Sequence, residues 1–319
     1  MDVIDTHCHI ISADQVKYPR RPLGGKQSGW AESRPMSAEQ LVARMDDAGI
    51  AKAVLVQAST AYGYDNSYVL DSRRRWPDRF VAVGTFDPLP PNAAARLAAA
   101  TSRDGLAGVR LFTTGSTVPG QGQWFANSAS FDFWRAAAEL NVTVCLQLRL
   151  SQAAAGLRSV LERFPSVRIL LDHLGYPDIA GSPAAAGKSL ADLAGHPGLY
   201  LKLTHRTLEP LREAGEGALD FLAPVVEAFG AGRIAWGSNC PAAEQSLPDL
   251  VHLATTVLDV LPPEVRDSIF AGTARQLYDG LAALLSSIPA WPIPGEGALA
   301  IVGQQRLPCR PGRRGLEPV

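Results

Sequence analysis

The stretch DTHCH, from Asp5 to His9, closes the first β-rich run of the chain, residues 3–9. Side chains alternate along a strand, so Asp5, His7 and His9 are expected to share one face. Two imidazoles beside a carboxylate form half of a metal site or of a proton-transfer site. We therefore expect a strand that carries polar groups to a site at its carboxyl end, as the strands of α/β enzymes do.

Seven further β-rich runs follow, and segments with helical periodicity separate them. The runs are Ala53–Ala58, Phe80–Phe86, Ala107–Phe112, Val142–Leu148, Val167–His173, Leu199–Thr204 and Ile234–Asn239. Most are nearly continuous apolar runs, which are typical of parallel strands buried on both faces. Eight β-α repeats in about 280 residues predict a TIM-type (β/α)8 barrel, with a doubly wound open sheet as the alternative.

Helix signals and composition shifts define the expected organisation. A capping-box pattern begins at Ser37, and further helices are predicted over Ala94–Ala100, Phe131–Leu140, Gln152–Phe164, Ala218–Phe229 and Leu247–Leu261. One barrel domain is predicted over residues 1–285, followed by a Pro/Gly-rich extension over residues 286–319. The polar insertion Gly24–Pro35 follows the first strand, so we expect it at the mouth of the barrel.

Bulk properties exclude several classes of protein. The 319 residues are 46% hydrophobic and 19% charged, and the net charge is −1. That balance is typical of a globular protein and gives no reason to expect nucleic acid or an anionic membrane as partner. The four cysteines lack CxxC spacing, and the start of the chain lacks a signal-peptide pattern, so a cytoplasmic location is predicted. The oligomeric state stays open, with a homodimer as one expectation.

Polar residues collect at the predicted carboxyl ends of the strands. They are His7, His9, Arg110, Gln147, Asp172, His173, Lys202 and Asn239, with Arg149, His205 and Arg206 just past the strand ends. Four of the six histidines of the chain therefore fall at one end of the barrel. Strand alternation turns Asp172 away from His173 and predicts a supporting role for it. Asp5 is expected to orient a histidine through a hydrogen bond.

Several motifs resemble the amidohydrolase-related family of the amidohydrolase superfamily. They are Asp5–His9, Leu171–Gly175, Tyr200–Thr204, Trp236–Pro241 and Ala271–Tyr278. The resemblance spans Met1 to about Asp279 and is greatest to the branch with 2-pyrone-4,6-dicarboxylate lactonase and sugar lactonases. It implies a distorted barrel that hydrolyses cyclic esters or related bonds, while other relatives decarboxylate aromatic acids.

Two positions depart from the family pattern. The family usually has Asp where this chain has Asn239, and many members of the superfamily have His where it has Gln147. An amide cannot take a proton from water near neutral pH, although its oxygen can orient a water or bind a metal weakly. Three explanations stay open: a natural subfamily with another base such as His205 or His173, an engineered variant, or loss of hydrolysis.

The chemistry of ester hydrolysis assigns roles to these residues. His7, His9 and His173 either hold Zn²⁺ or Mn²⁺ with one position left open, or polarise the scissile carbonyl without a metal. Asn239 orients the attacking water or takes the fourth ligand position. The remaining side chains are predicted to bind a carboxylated substrate: Arg110, Lys202, Gln147, Arg149, His205 and Arg206.

The expected function is hydrolysis of a small carboxylated lactone or a related cyclic ester or amide. Two alternatives stay open. A metal-dependent decarboxylase of a carboxylated ring needs no base to activate water, which suits Asn239. A ligand-binding pseudoenzyme would bind its ligand without turnover. In each case the partner is a small molecule.

Overall fold

The structure is a computed structural model and describes residues 2–113 and 124–281 of the chain. Its strands are β1 (Ile4–Cys8), β2 (Lys52–Val56), β3 (Phe80–Thr85), β4 (Gly108–Phe112), β5 (Thr143–Gln147), β6 (Arg168–Leu171), β7 (Leu199–Leu203) and β8 (Ile234–Trp236). They form one parallel sheet in the order β1 to β8. The predicted (β/α)8 barrel is confirmed.

Hydrogen bonds between the first and last strands complete the barrel. The Thr6 hydroxyl donates to the Trp236 carbonyl at 2.6 Å, and the Asn239 amide donates to the His7 carbonyl at 2.8 Å. One further step along, the His9 amide donates to the Cys240 carbonyl at 2.8 Å. These bonds hold the segment after β8 against the end of β1, where the first motif lies.

Helices cover the outside of the sheet. They are α1 (Gly29–Ser33), α2 (Ala38–Asp47), α3 (Ser59–Tyr62), α4 (Ser67–Arg75), α5 (Ala93–Ser102), α6 (Phe131–Glu139), α7 (Leu150–Arg163), α8 (Pro183–Ala191), α9 (His205–Ala214), α10 (Gly217–Phe229), α11 (Leu247–Leu258), α12 (Pro263–Asp267) and α13 (Thr273–Leu277). The capping box at the start of α2 is present, with Ser37 and Gln40 bonded to each other's backbone amides.

Apolar side chains fill the barrel interior and close its lower end. The inward-facing set includes Ile4, Val54, Val81, Cys145, Leu170 and Tyr200. Residues from α13 onward join the same cluster, and the Thr143 hydroxyl donates to the Leu277 carbonyl at 2.9 Å. The interior is therefore a packed core, and the only polar layer in its described part lies at the upper mouth.

Some predictions fall outside the described residues. The extension over residues 286–319 does, as does most of the long loop after β4. Among the described helices, none has the length and apolar character needed to cross a membrane.

Candidate active site

A cavity of about 230 Å³ opens at the carboxyl ends of the strands. Six of the ten residues predicted for the site line it: His9, Arg110, Gln147, His173, Arg206 and Asn239. The barrel thus brings together side chains from six of its strand ends. A site at this mouth is where the fold collects groups from distant parts of the sequence.

The insertion after β1 forms one wall of the cavity, as predicted from its position. Ser28 and Trp30 line the cavity, and the Trp30 ring stacks on the His9 ring at 5.2 Å between centroids. Ser59 and Thr60 continue this wall, and the Thr60 hydroxyl donates to the Ser28 hydroxyl at 3.1 Å. One side of the cavity therefore offers hydroxyl groups, while Arg110 and Arg206 supply cationic groups to the lining.

A left-handed turn follows β6 and corrects the prediction made for Asp172. Residues 173–176 all have positive φ, between 53° and 69°. For non-glycine residues this conformation is strained, and such strain is found at functional sites. Because the strand stops at Leu171, alternation no longer applies, and Asp172 turns into the same polar layer as His173 instead of away from it.

A buried charged layer lies beneath the cavity. The Asp172 carboxylate accepts from the Arg110 Nε at 2.8 Å and forms an ion pair with the Lys202 ammonium at 2.8 Å. Burial alone would raise the pKa of Asp172, but the charges of Lys202 and Arg110 hold it below its usual range. Asp172 therefore stays ionised, and it fixes both cations.

The Lys202 ammonium also fixes the tautomer of His7. Its Nζ lies 3.0 Å from the His7 Nδ1, and an ammonium group can only donate. The His7 Nδ1 must therefore accept, so its hydrogen is on Nε2. That Nε2 is fully buried and has no hydrogen-bond partner among the described residues. An unpaired buried donor costs about 1–3 kcal/mol, which a bound acceptor would recover.

The neighbouring His9 has the opposite tautomer. Its Nδ1 lies 2.8 Å from the Val56 carbonyl oxygen, which can only accept, so Nδ1 carries the hydrogen. The His9 Nε2 is left with a lone pair in a ring that lines the cavity. Burial and the Arg110 charge lower the pKa of His9 to about 3. The two rings lie 4.8 Å apart, edge to face.

His173 completes the histidine group. Its ring centroid lies 5.2 Å from that of His7, and its Nδ1 is 2.8 Å from the Thr204 hydroxyl. Burial lowers the pKa of His173, and the positive charges of Arg110 and Arg206 lower it further. The pKa of His7 is lowered by burial and then by Lys202 and Arg110. All three imidazoles are therefore neutral at neutral pH.

Asn239 borders the cavity in a conformation that suits an asparagine. Its φ is 61°, in the left-handed region that Asn tolerates better than most residues. No hydrogen bond to its side-chain amide is formed by residues 2–113 or 124–281. The amide is thus available to a water or a substrate, as the sequence predicts for this position.

Asp5 differs from its expected role. A bulge in the pairing of β1 with β2 between Asp5 and Cys8 interrupts the alternation that the prediction used. The Asp5 carboxylate accepts from the backbone amides of His7 at 2.9 Å and Ser238 at 2.8 Å. It therefore fastens the backbone of β1 to that of the segment after β8 and orients no imidazole.

The other predicted substrate ligands lie at different depths. Lys202 is fully buried in the charged layer, below the cavity wall. His205 is 8% exposed, and its Nδ1 lies 3.3 Å from the Ser238 carbonyl oxygen. Arg149 is exposed, with its guanidinium over the Tyr176 ring at 4.7 Å. Tyr176 itself lines the cavity and was missed, although its place three residues after His173 could have indicated it.

The hydrogen bonds of the histidine group do not suit a divalent metal ion. No group of three or more His, Cys, Asp or Glu suited to a metal occurs in the described part of the chain. The Lys202 contact also puts a hydrogen on the His7 Nε2, where a metal needs a lone pair. With these hydrogen bonds the residues do not fit a dication, so no step below depends on one.

Comparisons with known proteins agree with this fold. A family model described as Amidohydrolase matches residues 4–280. The L-fucono-1,5-lactonase of Burkholderia ambifaria is 25% identical over 295 residues, which cover 86% of this chain and 94% of that protein. Among solved structures, a Pseudomonas putida protein assigned as a 2-pyrone-4,6-dicarboxylic acid hydrolase is 23% identical, with a TM-score of 0.70 over 88% of this chain and 98% of that one. A zinc-bound amidohydrolase from Burkholderia multivorans is 22% identical, with a TM-score of 0.67 over 88% and 99% of the two chains.

Proposed function

We propose that this chain, which belongs to the amidohydrolase family and is an enzyme of the hydrolase type, hydrolyses a small carboxylated lactone. The lactonase name of the Burkholderia ambifaria relative supports this reaction class. The observation that carries the proposal is the pair of contacts from Lys202 to the His7 Nδ1 and from the Val56 carbonyl to the His9 Nδ1, from which we infer opposite tautomers. One ring offers a hydrogen and the other a lone pair, which is what water attack on a carbonyl requires.

In this mechanism the lactone carbonyl oxygen accepts a hydrogen bond from the His7 Nε2–H group. The carbonyl carbon then becomes more electrophilic, and the Arg110 charge favours the oxyanion that forms on attack. The donor is held by Lys202 before the substrate arrives. Lys202 therefore acts as a positioning residue, because it works through His7.

Water attacks from the side of His9 and Asn239. The His9 Nε2 accepts one hydrogen of the water, and the Asn239 amide holds the water in line. The proton moves to His9 as the C–O bond forms, and His9 returns it to the ring oxygen as the tetrahedral intermediate opens. The product is a hydroxy acid, and the low pKa of His9 favours return of the proton.

The carboxylate of the substrate is proposed to bind Arg110 or Arg206 in the cavity wall. Two other parts of the proposal come from the sequence and the relatives. A metal-bound state of His7, His9 and His173 stays a prediction because a structural relative binds zinc, and it would require a lone pair instead of a hydrogen on the His7 Nε2. A cytoplasmic location, a homodimer and the absence of nucleic acid partners likewise stay predictions.

A substrate panel tests the function. The purified protein is treated with EDTA and assayed on L-fucono-1,5-lactone, on carboxylated lactones and on aromatic acids, with and without added Zn²⁺ or Mn²⁺. We expect acid release from at least one lactone at the same rate in every metal condition. Carbon dioxide release from an aromatic acid that requires added metal would favour the decarboxylase. Binding of lactones without turnover would favour the pseudoenzyme.

A further inference from the structure

A second cavity of about 890 Å³ adjoins the first, and the two share part of their walls. Tyr176 and Arg206 line both cavities. The second cavity runs outward between α7 and α8, away from the histidines and the proposed reacting carbonyl. The two cavities therefore meet at the side chains of Tyr176 and Arg206.

The charged walls of the second cavity are mostly positive. Arg149, Arg158 and Arg206 line it, and Asp178 is the one carboxylate among its lining residues. None of these three arginines has a carboxylate partner within 4.0 Å among residues 2–113 and 124–281. Three unpaired guanidinium groups in one concave site attract an anion.

One of these groups, Arg149, is held in place before a ligand binds, and Arg206 is exposed. The Arg149 guanidinium lies over the Tyr176 ring at 4.7 Å, and the Tyr176 hydroxyl accepts from the Gln147 amide at 2.8 Å. Arg206 lies close enough to His173 and Tyr176 for its charge to lower the pKa of each. Arg158 lies on α7 farther from the barrel mouth and reaches only the second cavity.

We propose that the second cavity is a subsite for a distal anionic group of the substrate. The substrate class is then an elongated lactone whose ring lies beside the histidines and whose far end carries a carboxylate or a phosphate. This inference rests on the proposed function for the position of the ring, but the subsite itself follows from Arg149, Arg158 and Arg206. A distal anionic group on the substrate would account for the guanidinium groups that line the second cavity.

Calorimetry with simple acids tests the subsite without any turnover. The probes are the α,ω-dicarboxylates succinate, adipate, suberate and sebacate, each paired with the monocarboxylate of equal length. We expect the longer dicarboxylates to bind about tenfold more tightly than their monocarboxylate partners, because one charged hydrogen bond contributes about 1.5 kcal/mol. Phosphonate-terminated chains of the same length show which anion binds better.

Two arginine variants on the same helix provide the control. Arg158→Gln should lower the affinity for the longer dicarboxylates about fivefold or more and leave the monocarboxylates unchanged, since a fivefold change is about 1 kcal/mol. Arg163 lies outside the cavity, so Arg163→Gln should change the affinity for neither kind of acid. Equal affinities for the two acids at every length, or equal effects of the two variants, would overturn the subsite. Length-dependent binding without lactone hydrolysis would keep the subsite and refute the proposed function.

Discussion

The ammonium nitrogen of Lys202 lies 3.0 Å from the Nδ1 of His7, although the two residues are 195 positions apart. Each belongs to a different strand, β7 or β1, and both are fully buried. A donor-only group at Nδ1 leaves the opposite ring nitrogen as the hydrogen donor. The closure of the barrel therefore selects one of two chemically different forms of His7, and the proposed reaction depends on that selection.

Replacing Lys202 by Met tests this relationship. We expect kcat to fall about 100-fold with little change in KM, because the His7 donor to the carbonyl oxygen is then no longer held in a fixed position. Loss of one partner of a buried ion pair should also lower the free energy of unfolding by about 3 kcal/mol. Long-range ¹H–¹⁵N NMR of His7 should show a single Nε2–H tautomer in the native protein and a mixture in the variant.

Lys188 on α8 provides the control for this substitution. It is exposed and forms no part of the cavity, so Lys188→Met should change neither kcat nor the His7 tautomer. A Lys202→Met protein that keeps the native kcat would contradict the role assigned to Lys202.

Asn239→Gly removes the side-chain amide and keeps the backbone conformation. Glycine adopts φ near 61° without strain, so we expect stability within about 0.5 kcal/mol of the native protein. The kcat for lactone hydrolysis should fall about tenfold, the effect of one lost hydrogen bond to water. Asn141→Gly is a matched control, because Asn141 has φ of 54° and is exposed. A similar change of kcat in the two variants would mean that Asn239 has no specific contact with the water.

Stability should depend on pH in the acidic range. The pKa of His9 is about 3 in the folded protein, against about 6.5 in the unfolded chain. The unfolded state then binds more protons below pH 6.5, so the free energy of unfolding falls as the pH falls from about 6 to 4. Each such histidine contributes at most about 1.4 kcal/mol per pH unit, and His7 and His173 act in the same direction.

Urea unfolding in the presence of EDTA, at intervals between pH 4 and 8, measures this slope. His9→Gln should reduce this slope, because it removes one histidine that binds a proton in the unfolded state and not in the folded state. His252 is an exposed residue of α11, so His252→Gln should leave the slope unchanged. An unfolding free energy that stays constant over the range would show that the three histidines are not buried in neutral form.

Gly175→Ala tests the left-handed turn that follows β6. At φ of 69°, the added Cβ would lie 2.5 Å from the Leu150 Cγ, so the turn or α7 must shift. Gly49→Ala has nearly the same φ, 67°, with no atom within 4 Å of its Cβ. We expect the control to lose about 1 kcal/mol of stability and Gly175→Ala to lose about 1–3 kcal/mol more. Equal losses would mean that contact with Leu150 does not fix the turn.

The sequence predicted all eight strands, because each is an apolar run that parallel pairing buries on both faces. Helices with a clear apolar stripe, such as α7, were also predicted, with ends that differ by one or two residues. The helices α4, α8 and α9 were not predicted. The segment that forms α4 is strongly polar and ends in three arginines, and the segment that forms α8 is mostly alanine and other small residues.

The sequence predicted which residues of the site lie near the carboxyl ends of the strands. The position of a residue in the sequence shows whether it reaches the mouth of the barrel. The depth and direction of its side chain depend on the residue at which the strand ends. Asp172 entered the polar layer because β6 ends one residue before it, and Lys202 lies below the cavity because β7 continues one residue past it. The tautomers of His7 and His9 depend on partners from other strands, which no local pattern reveals.

The hydroxyl of Thr6 meets its carbonyl partner 230 residues further along the chain. While the ribosome makes this protein, β1 emerges first and one of its edges has no strand to pair with until β8 has been made. The unpaired backbone groups of a strand edge can pair with another chain, and the edge of β1 stays exposed until β8 has been made. Two histidines of the proposed catalytic group thus lie on or directly after the strand that waits longest for its final neighbour.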